Sequence, residues 1–551
     1  MPKTLHTESN IHAGDRARAR ADGRGHVHVT RGARAGSFAA GLLAWSLATT
    51  ALANPVGGTV SGGAGSINSS GDTLTVTQTT DRAVFDWQGF DIGANETTRF
   101  NQPNANAVAL NRIHSATPSQ IDGRLSANGN LVLVNPNGVV FGAGAQVDVN
   151  GLVATTSNIA NSSFLAGQLT FDQPGDPNAK IENRGTITAR DAGLVGLVAP
   201  NVINSGTITA NLGRVQLGSG DSFTLDLYGD GLMNLAVSDA VGSQLIEHSG
   251  AINAAGGKVL ITAAAGRQAV DSLIRVSGEI NTPAVAEHAG VIEIFAAGSH
   301  AKGTFGGRLA NGAGAASGNS TVEVYGTLNA TNDHGQGGRI AVSADRVGIG
   351  STAQIDASGT LGGGAISIGG DVHGGETPSV LSTVERETLA AVRERLGPNP
   401  TPNALYTVVQ SGAIIRANAT DTGHGGLVAV WADERTDFEG RIDANGGLNG
   451  GDGGLIETSG KNILMALGDA NAAGGGEDRY AIDPVTNLRT RTRTRGKAGE
   501  WLLDPGTITI GTTAISGVTT SGTNPFSYTG TTSATASYVP AATINSKLAA
   551  G

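Results

Sequence analysis

Polysaccharide cleavage is the reaction that the acidic residues of this sequence could support. A β-helical scaffold can hold carboxylates on one face for such chemistry, and the candidates are Asp148, Asp226 and Asp356. Nothing in the sequence pairs these residues with one another. We therefore predict that the protein is not an enzyme and keep a β-helical polysaccharide-degrading enzyme as the weakest alternative.

Metal, thiol and serine chemistry are also poorly supported. The 11 histidines are scattered without metal-ligand spacing, and the chain has no cysteine for disulfides, thiolate sites or thiol catalysis. Asp221 and Ser222 adjoin each other, but no base partner can be identified for them. The formal net charge of -10 leaves no basic footprint for nucleic acid. We predict no metal, no cofactor and no nucleic-acid partner.

A tight turn lies at Asn135, Pro136, Asn137 and Gly138, where two short apolar runs meet. Pro136 fixes φ at the first central position, Asn137 tolerates the second, and Gly138 suits the exit. The pattern predicts a corner between two strands. By itself the turn carries no functional information.

The composition and an internal repeat predict the fold. The chain has 84 glycines and only 4% aromatic residues, and its apolar side chains stand in short runs divided by turn residues. A unit of strand, turn, strand and turn recurs at 183–199, 204–219, 248–263, 276–296, 324–344, 411–432 and 438–459. Because one unit cannot bury its apolar face alone, units must stack. We predict an all-β, right-handed parallel β-helix with small extra-helical β elements, of on the order of 20 coils and about 90–100 Å long.

The N-terminus predicts a signal peptide. An arginine-rich stretch over 1–34 precedes a mildly apolar run at 36–53. Ala51 and Ala53 supply the small residues of a cleavage site, so the mature chain is expected to begin at Asn54. An N-terminal membrane helix is the alternative, but the run is short and mild for one.

Two segments interrupt the repeat. Residues 382–397 have apolar side chains at helical spacing, followed by Gly397 and Pro398 as stop signals, which predicts one short inserted α-helix. In the second segment, arginines alternate with threonines from Arg489 to Arg495. A strand would place four like charges on one face, so a solvated loop is favoured over a polyanion-binding patch.

The block 111–167 closely resembles the N-terminal secretion domain of the filamentous haemagglutinin family, the exoproteins of two-partner secretion. That family has an NPNG turn and an Asn-rich segment ending in Asn-x-x-Phe. Here the motif positions are Asn135, Pro136, Asn137, Gly138, Asn158, Asn161 and Phe164, with Asn111 opening a further NRI motif. After NRI this chain has His114 and Ser115 where glycine is expected, which leaves the local geometry open.

The resemblance implies a route and a set of partners. It implies export across the inner membrane by the Sec machinery, recognition in the periplasm by the POTRA domains of an outer-membrane transporter, and folding outside a Gram-negative cell. It also favours a secreted or surface-exposed adhesin whose receptor, glycan or protein, the sequence does not identify. A toxin-delivery or haem-acquisition exoprotein is the alternative.

These inferences divide the chain into four parts. We predict a signal peptide at 1–53, a two-partner secretion domain at 54–300, continuing adhesin-type coils at 301–515, and a low-complexity tail at 516–551. The tail shows no closing element, which would fit a chain that continues.

Overall fold

A computed structural model describes most of the chain as one stack of β-strands. The described residues are 54–226, 233–238, 240–264, 271–296, 320–376, 380–396, 401–477, 479–482, 489–493, 495–504, 508–511 and 537–540. Almost all of the strands belong to three long sheets, called sheets 1, 2 and 3 below, which run side by side along the stack. The predicted all-β parallel β-helix is confirmed.

Sheet 1 has 14 strands, in the spatial order Thr59–Gly62, Arg82–Trp87, Val108–Ile113, Asn130–Val134, Gly151–Thr155, Leu194–Ala199, Arg214–Ser219, Lys258–Ala263, Val291–Ala296, Arg339–Ser343, Ala365–Ile368, Leu427–Ala432, Leu455–Gly460 and Glu500–Leu502. Sheet 2 has 13 strands, in the order Ser119–Ile121, Val139–Phe141, Lys180–Asn183, Asn201–Asn204, Ser243–His248, Asp271–Val276, Ser320–Val324, Arg346–Ile349, Tyr406–Val409, Arg435–Phe438, Ile463–Ala466, Ser537–Pro540 and Ile508–Gly511.

Sheet 3 has 14 strands, in the order Gly65–Ser70, Thr73–Gln78, Thr97–Asn101, Arg124–Ala127, Gln146–Val149, Thr186–Ala189, Thr207–Thr209, Ala251–Asn253, Glu279–Asn281, Thr327–Asn329, Gln354–Asp356, Ile414–Arg416, Arg441–Asp443 and Asp469–Asn471. One coil visits the three sheets in turn. For example, Asn130–Val134 of sheet 1 leads to Val139–Phe141 of sheet 2, then to Gln146–Val149 of sheet 3, and Gly151–Thr155 returns to sheet 1 beside the starting strand.

The core is a ladder of aliphatic side chains. The central residues of eight successive strands of sheet 3 lie in register and are fully buried; they are Ile187, Ile208, Ile252, Ile280, Leu328, Ile355, Ile415 and Ile442. Each such side chain contributes about 2 kcal/mol of apolar burial. A narrow core of this kind favours aliphatic residues of similar size in successive coils, which agrees with the low aromatic content, although Phe85, Trp87 and Phe141 are also buried in it.

The first strands of the stack pair antiparallel, unlike those that follow. Thr59–Gly62 pairs with Arg82–Trp87 in sheet 1, and Gly65–Ser70 pairs with Thr73–Gln78 in sheet 3. The chain therefore folds back over its own first coil.

Two insertions cover the outer face of sheet 1. The first, which we call the first cover, comprises the helix α1 (Asn161–Leu165) and a three-stranded antiparallel sheet of Thr170–Phe171, Ser222–Leu225 and Met233–Ala236. The second cover comprises the 3-10 helix Val372–Gly375 and the helix α2 (Thr383–Leu396). These elements confirm the expected extra-helical β elements and the inserted helix near 382–397.

Three expectations are wrong. The arginine-threonine segment is no loop: Arg489–Arg493 is a strand that pairs antiparallel with Arg479–Ile482. This two-stranded ribbon lies outside the three long sheets. Threonine favours an extended backbone, and pairing with Arg479–Ile482 allows this segment to be extended although it is not a strand of any coil. The predicted tail also contains a strand, since Ser537–Pro540 adds to sheet 2 and buries Val539 against Leu464.

The third wrong expectation is the number of coils. The longest sheets of the described residues have 14 strands, which at ~4.8 Å each span roughly 60 Å. The estimate of 20 coils treated every residue as part of a coil, whereas the two covers use long stretches between strands.

Among the described residues, no helix is long and apolar enough to cross a membrane.

Candidate functional site

The turn at Asn135–Gly138 is a corner between sheets 1 and 2. The amide of Gly138 donates to the carbonyl of Asn135 at 2.9 Å, and the amide of Asn137 donates to the Asn135 side-chain oxygen at 2.9 Å. Gly138 has φ of +110°, and a Cβ there would lie 2.3 Å from the carbonyl oxygen of Lys180. The corner has the predicted form, and glycine is required at its exit by both conformation and space.

Asparagine side chains tie this corner to the preceding coil. Asn135 Nδ2 donates to the carbonyl of Thr117 and to Ser119 Oγ, both at 3.1 Å. Asn137 Nδ2 donates to the carbonyl of Ser115 at 2.8 Å. The backbone carbonyl of Ser115, where the chain departs from the family pattern, is therefore one of the acceptors that hold the corner, so this variation is compatible with the turn.

The following coil holds the corner from the other side. The amide of Asn135 donates to the carbonyl of Thr155 at 3.1 Å, and the amide of Asp176 donates to the carbonyl of Pro136 at 2.9 Å. Gly175 packs so closely that a Cβ would lie 2.7 Å from the Pro136 oxygen. The four corner residues are thus fixed by backbone groups of two neighbouring coils.

The Asn-rich segment lies on the outer face of sheet 1 and joins the corner through a short chain segment. Asn158 exchanges two backbone hydrogen bonds with Gln173, at 2.7 and 3.2 Å, and the chain runs from Gln173 directly to the Asp176 contact with Pro136. Phe164, in α1, is fully buried in the apolar layer between the first cover and sheet 1. The structure thus brings Asn158, Asn161 and Phe164 into one connected region with the corner.

Arg112 is the centre of this region, although sequence reasoning did not select it. Its Nε donates to Asn158 Oδ1 at 2.9 Å, and its Nη2 donates to Asn161 Oδ1 at 2.7 Å and to the carbonyl of Ile159 at 2.8 Å. Its Nη1 lies 3.2 Å from Asp86 Oδ1, and its side chain is 13% exposed. A charged residue inside the apolar strand Val108–Ile113 was the signal that could have identified it, because a buried arginine requires a full set of acceptors.

Asp86 completes the charge balance at this site. Burial alone would raise the pKa of its carboxyl group, but hydrogen bonds from Ser61 and His114 and the charge of Arg112 lower that pKa below its usual value. The ion pair with Arg112 therefore persists through the neutral range.

Asn111 lies on the opposite side of the same strand. Its side chain is fully buried inside the rod, where Oδ1 accepts a 3.0 Å hydrogen bond from the indole of Trp87. The structure therefore separates Asn111 from the corner and the Asn-rich segment, and gives it contacts of the interior.

The predicted cleavage site is only partly described. Ala51 and Ala53 lie outside the described residues. Asn54, the first described residue, donates to the carbonyl of Asp72 at 2.9 Å and accepts from Thr98 Oγ1 at 3.1 Å. The residue expected to begin the mature chain is thus hydrogen bonded to the first coils.

The candidate catalytic aspartates do not form a cluster. Asp148 and Asp356 belong to strands six steps apart in sheet 3, which is roughly 30 Å at ~4.8 Å per step. Asp148 is half exposed and lies 3.9 Å from Arg124, while Asp356 accepts from the amide of Ser358 at 2.8 Å. Asp226 follows a strand of the first cover. Asp221, the neighbour of Ser222, accepts a hydrogen bond from the backbone amide of Ser238 at 2.9 Å. In the described part of the chain, no group of three or more metal-ligating side chains occurs.

Comparisons with known proteins show what the whole chain is similar to. The family model of the TPS secretion domain matches residues 51–311. Two heme/hemopexin-binding proteins of Haemophilus influenzae are similar to this chain. The first, from strain ATCC 51907 / DSM 11121 / KW20 / Rd, is 36% identical over 225 residues. These residues are 39% of this chain and 24% of that protein. The other is 33% identical over 245 residues, 41% of this chain and 26% of that protein. The matches thus span about a quarter of each curated relative.

A solved structure is similar over a larger share of the chain. The crystal structure of the HMW1 secretion domain from Haemophilus influenzae aligns with a TM-score of 0.59 at 26% identity. The alignment covers 81% of this chain and 99% of that one.

Proposed function

We propose that this chain, which belongs to the two-partner secretion exoproteins, is an adhesin. The family assignment rests on the match of the TPS secretion domain to residues 51–311 and on the similarity of the fold to a solved domain of that kind. In this proposal the Sec machinery delivers the chain to the periplasm. A cognate outer-membrane transporter then recognises it through POTRA domains, and the rod reaches the cell surface or the medium of a Gram-negative bacterium.

The connection between the corner and the Asn-rich segment is the observation that carries the proposal. Asn135 and Asn137 use their side-chain amides to fix one coil corner, and Arg112 fixes Asn158 and Asn161 within the same region. Residues that are far apart in the sequence are therefore joined through hydrogen bonds into one region, which supports a shared role in export. The long stack of coils beyond this region offers an extended surface, which supports a binding role.

Replacement of Asn137 tests the role of the corner in export. The Asn137→Val variant loses the hydrogen bond to Ser115 and places a β-branched residue at a turn position that suits it poorly. Expressed as the full chain together with its transporter, this variant should show strongly reduced extracellular protein. Asn137→Gly, which keeps the turn but not the donor, should give an intermediate yield.

The matched control is Asn201→Val, which changes a half-buried asparagine in a strand of sheet 2. Its export should remain normal, because valine suits a strand. Normal export of Asn137→Val, with unchanged circular dichroism of the secreted protein, would contradict the assigned role.

Haem acquisition is a second candidate, because both curated relatives are heme/hemopexin-binding proteins. The matched parts are about a quarter of the length of those proteins. Titration of hemin into the purified mature chain, followed by its absorbance, separates the candidates. The adhesin proposal expects no saturable binding, and saturable binding would favour the second candidate.

A further inference from the structure

A cavity of about 400 Å³ lies between α2 and the corners of successive coils. Its wall is formed by α2, its floor by the glycines of the coil corners, and its rim by polar side chains of the same corners. Its volume falls in the range of about 300–1,000 Å³ that is usual for small-molecule sites. None of the motifs that led to the secretion domain contributes to it.

The floor of the cavity is bare backbone for a structural reason. A Cβ on Gly363, Gly425 or Gly453 would lie 2.0, 2.0 or 1.9 Å from a backbone carbonyl oxygen of a neighbouring coil. Glycine is therefore required for the coils to stack here. As a consequence the floor is flat and carries no side chain that would fill the space beneath α2.

The wall is fixed to the rod, so the cavity exists before any ligand arrives. Ser382 caps α2: its Oγ accepts from the amide of Glu385 at 3.0 Å and donates to Glu500 Oε2 at 2.6 Å. Glu385 also lies 2.7 Å from His373 Nε2. Further along α2, Leu389 and Val392 pack on the apolar outer face of sheet 1.

The lining combines donors, acceptors and apolar groups in similar measure. Glu387 of α2 and Asp452 of the rim supply carboxylates, Lys497 supplies an ammonium group, and Gln336 supplies an amide. Val384 and other small aliphatic side chains of α2 face the same space. A purely apolar ligand would desolvate the charged groups without replacing their hydrogen bonds, and an anion would meet two carboxylates.

We propose that this cavity binds a neutral mono- or disaccharide. Sugar hydroxyl groups donate and accept, so they can pair with the carboxylates and with the amide and ammonium groups at once. The C–H face of a pyranose ring suits the flat glycine floor and the aliphatic wall. The inference deepens the proposed adhesive role and rests on it for its biological use, whereas its test uses purified chain and does not depend on export.

The test starts with the purified mature chain on an immobilised panel of neutral and sialylated mono- and disaccharides. We expect binding to neutral members and weaker binding to sialylated ones. The affinity for the best neutral sugar is then measured by calorimetry for three variants. Ala391→Trp fills the cavity and should abolish binding, while Glu387→Gln, which preserves volume, should weaken it at least about fivefold, the loss of one charge-assisted hydrogen bond.

Glu394→Gln is the matched control, because Glu394 is an exposed residue of the same helix outside the cavity lining. Its affinity should be unchanged. Absence of binding to every neutral sugar, preference for sialylated sugars, or full affinity in both Ala391→Trp and Glu387→Gln would overturn the proposal. Normal export of a chain that binds no sugar would overturn this inference alone, and sugar binding by a chain that is not exported would overturn only the proposed secretion role.

Discussion

The first and second covers solve the same physical problem with different chemistry. Both lie on the outer face of sheet 1, where strands such as Leu194–Ala199 and Leu427–Ala432 are buried along their whole length. The first cover packs a broad apolar layer that includes Phe164 and the stacked rings of Phe171 and Phe223, 4.4 Å apart. The second cover has a smaller apolar contact and is held at one end by ionisable groups.

The attachment of the two covers to sheet 1 differs in how strongly its stability depends on pH. Beneath the first cover, Arg112 of sheet 1 binds neutral amide and carbonyl oxygens together with Asp86, whose pKa is lowered. Beneath the second cover, buried Glu457 of sheet 1 accepts a 2.8 Å hydrogen bond from the amide of His373. Burial, and then the charge of Asp504, raise the pKa of Glu457 to about 7, against hydrogen bonds from His373 and Ser459. The first cover is therefore built to be insensitive to pH, and the second is not.

Removal of Arg112 should break the first cover and have the largest effect. Arg112→Ala removes the charged partner of Asp86 and takes one donor from each of three oxygens, which costs about 3–5 kcal/mol. Hydrogen exchange of the α1 region in the full mature chain, corrected for intrinsic rates, should rise accordingly, while α2 stays protected. Arg124→Ala is the control, since its exposed ion pair with Asp148 contributes only about 0–1 kcal/mol. Equal effects of the two variants would refute the central position given to Arg112.

The pH dependence of the second cover should come second in size. The folded chain holds the Glu457 proton more tightly than an unfolded chain, whose glutamate titrates at 4.5. Stability from this group is therefore complete below about pH 4.5 and is lost as the pH rises through about 7. Protection of α2 should fall across this window by up to about 3 kcal/mol, and Glu457→Gln should remove the fall.

Other charged groups around Glu457 could also make the stability of the second cover depend on pH. His373, Asp504 and Glu385 surround the same site. Burial by itself would raise the pKa of Glu385, but hydrogen bonds from Ser382 and His373 lower that pKa below its usual value. Glu385 thus contributes stability that is lost only in acid, outside the window. Glu434→Gln, at an exposed position, is the control and should keep the pH profile. An unchanged profile in Glu457→Gln would show that another group is responsible.

The smallest expected effect lies inside the rod near the first cover and has the opposite sign. His248 Nδ1 lies 3.0 Å from the side-chain nitrogen Nδ2 of Asn204, and His248 Nε2 lies 3.0 Å from the backbone carbonyl oxygen of Glu279. Burial lowers the pKa of His248 below 6.5, despite hydrogen bonds to Glu279 and Asn204. Its stabilising contribution is therefore present above pH 6.5 and is lost as the pH falls below that value.

His248→Asn extends an asparagine ladder, because Asn183 already donates to Asn204 at 2.8 Å. In the unsubstituted chain, acid should lower the stability of this coil by roughly 1 kcal/mol, which is the contribution of one hydrogen bond. The variant should show no such loss. Hydrogen exchange of the strand Ser243–His248 between acidic and neutral pH measures it. Persistent acid weakening in the variant would assign the effect to another group.

Features set by local residues could be predicted from the sequence, and features set by distant contacts could not. The corner at Asn135–Gly138 and the helix α2 follow from turn residues, spacing and stop signals within each segment. Arg112 was missed because its four partners come from distant segments that only the fold brings together. The strand Arg489–Arg493 was misjudged because its partner, Arg479–Ile482, lies across residues that give no hairpin pattern.

The folding back of the chain over its first coil has a consequence for how molecules meet in solution. A parallel stack ends in a strand with free hydrogen-bonding groups, and such an edge can seed fibres when many copies are present. Here Thr59–Gly62 and Gly65–Ser70 occupy the edges of sheets 1 and 3 with antiparallel strands. A second rod that added to these two edges would not repeat the parallel pairing of the stack, so we expect this end of the molecule to be less prone to end-to-end polymerisation at high local concentration.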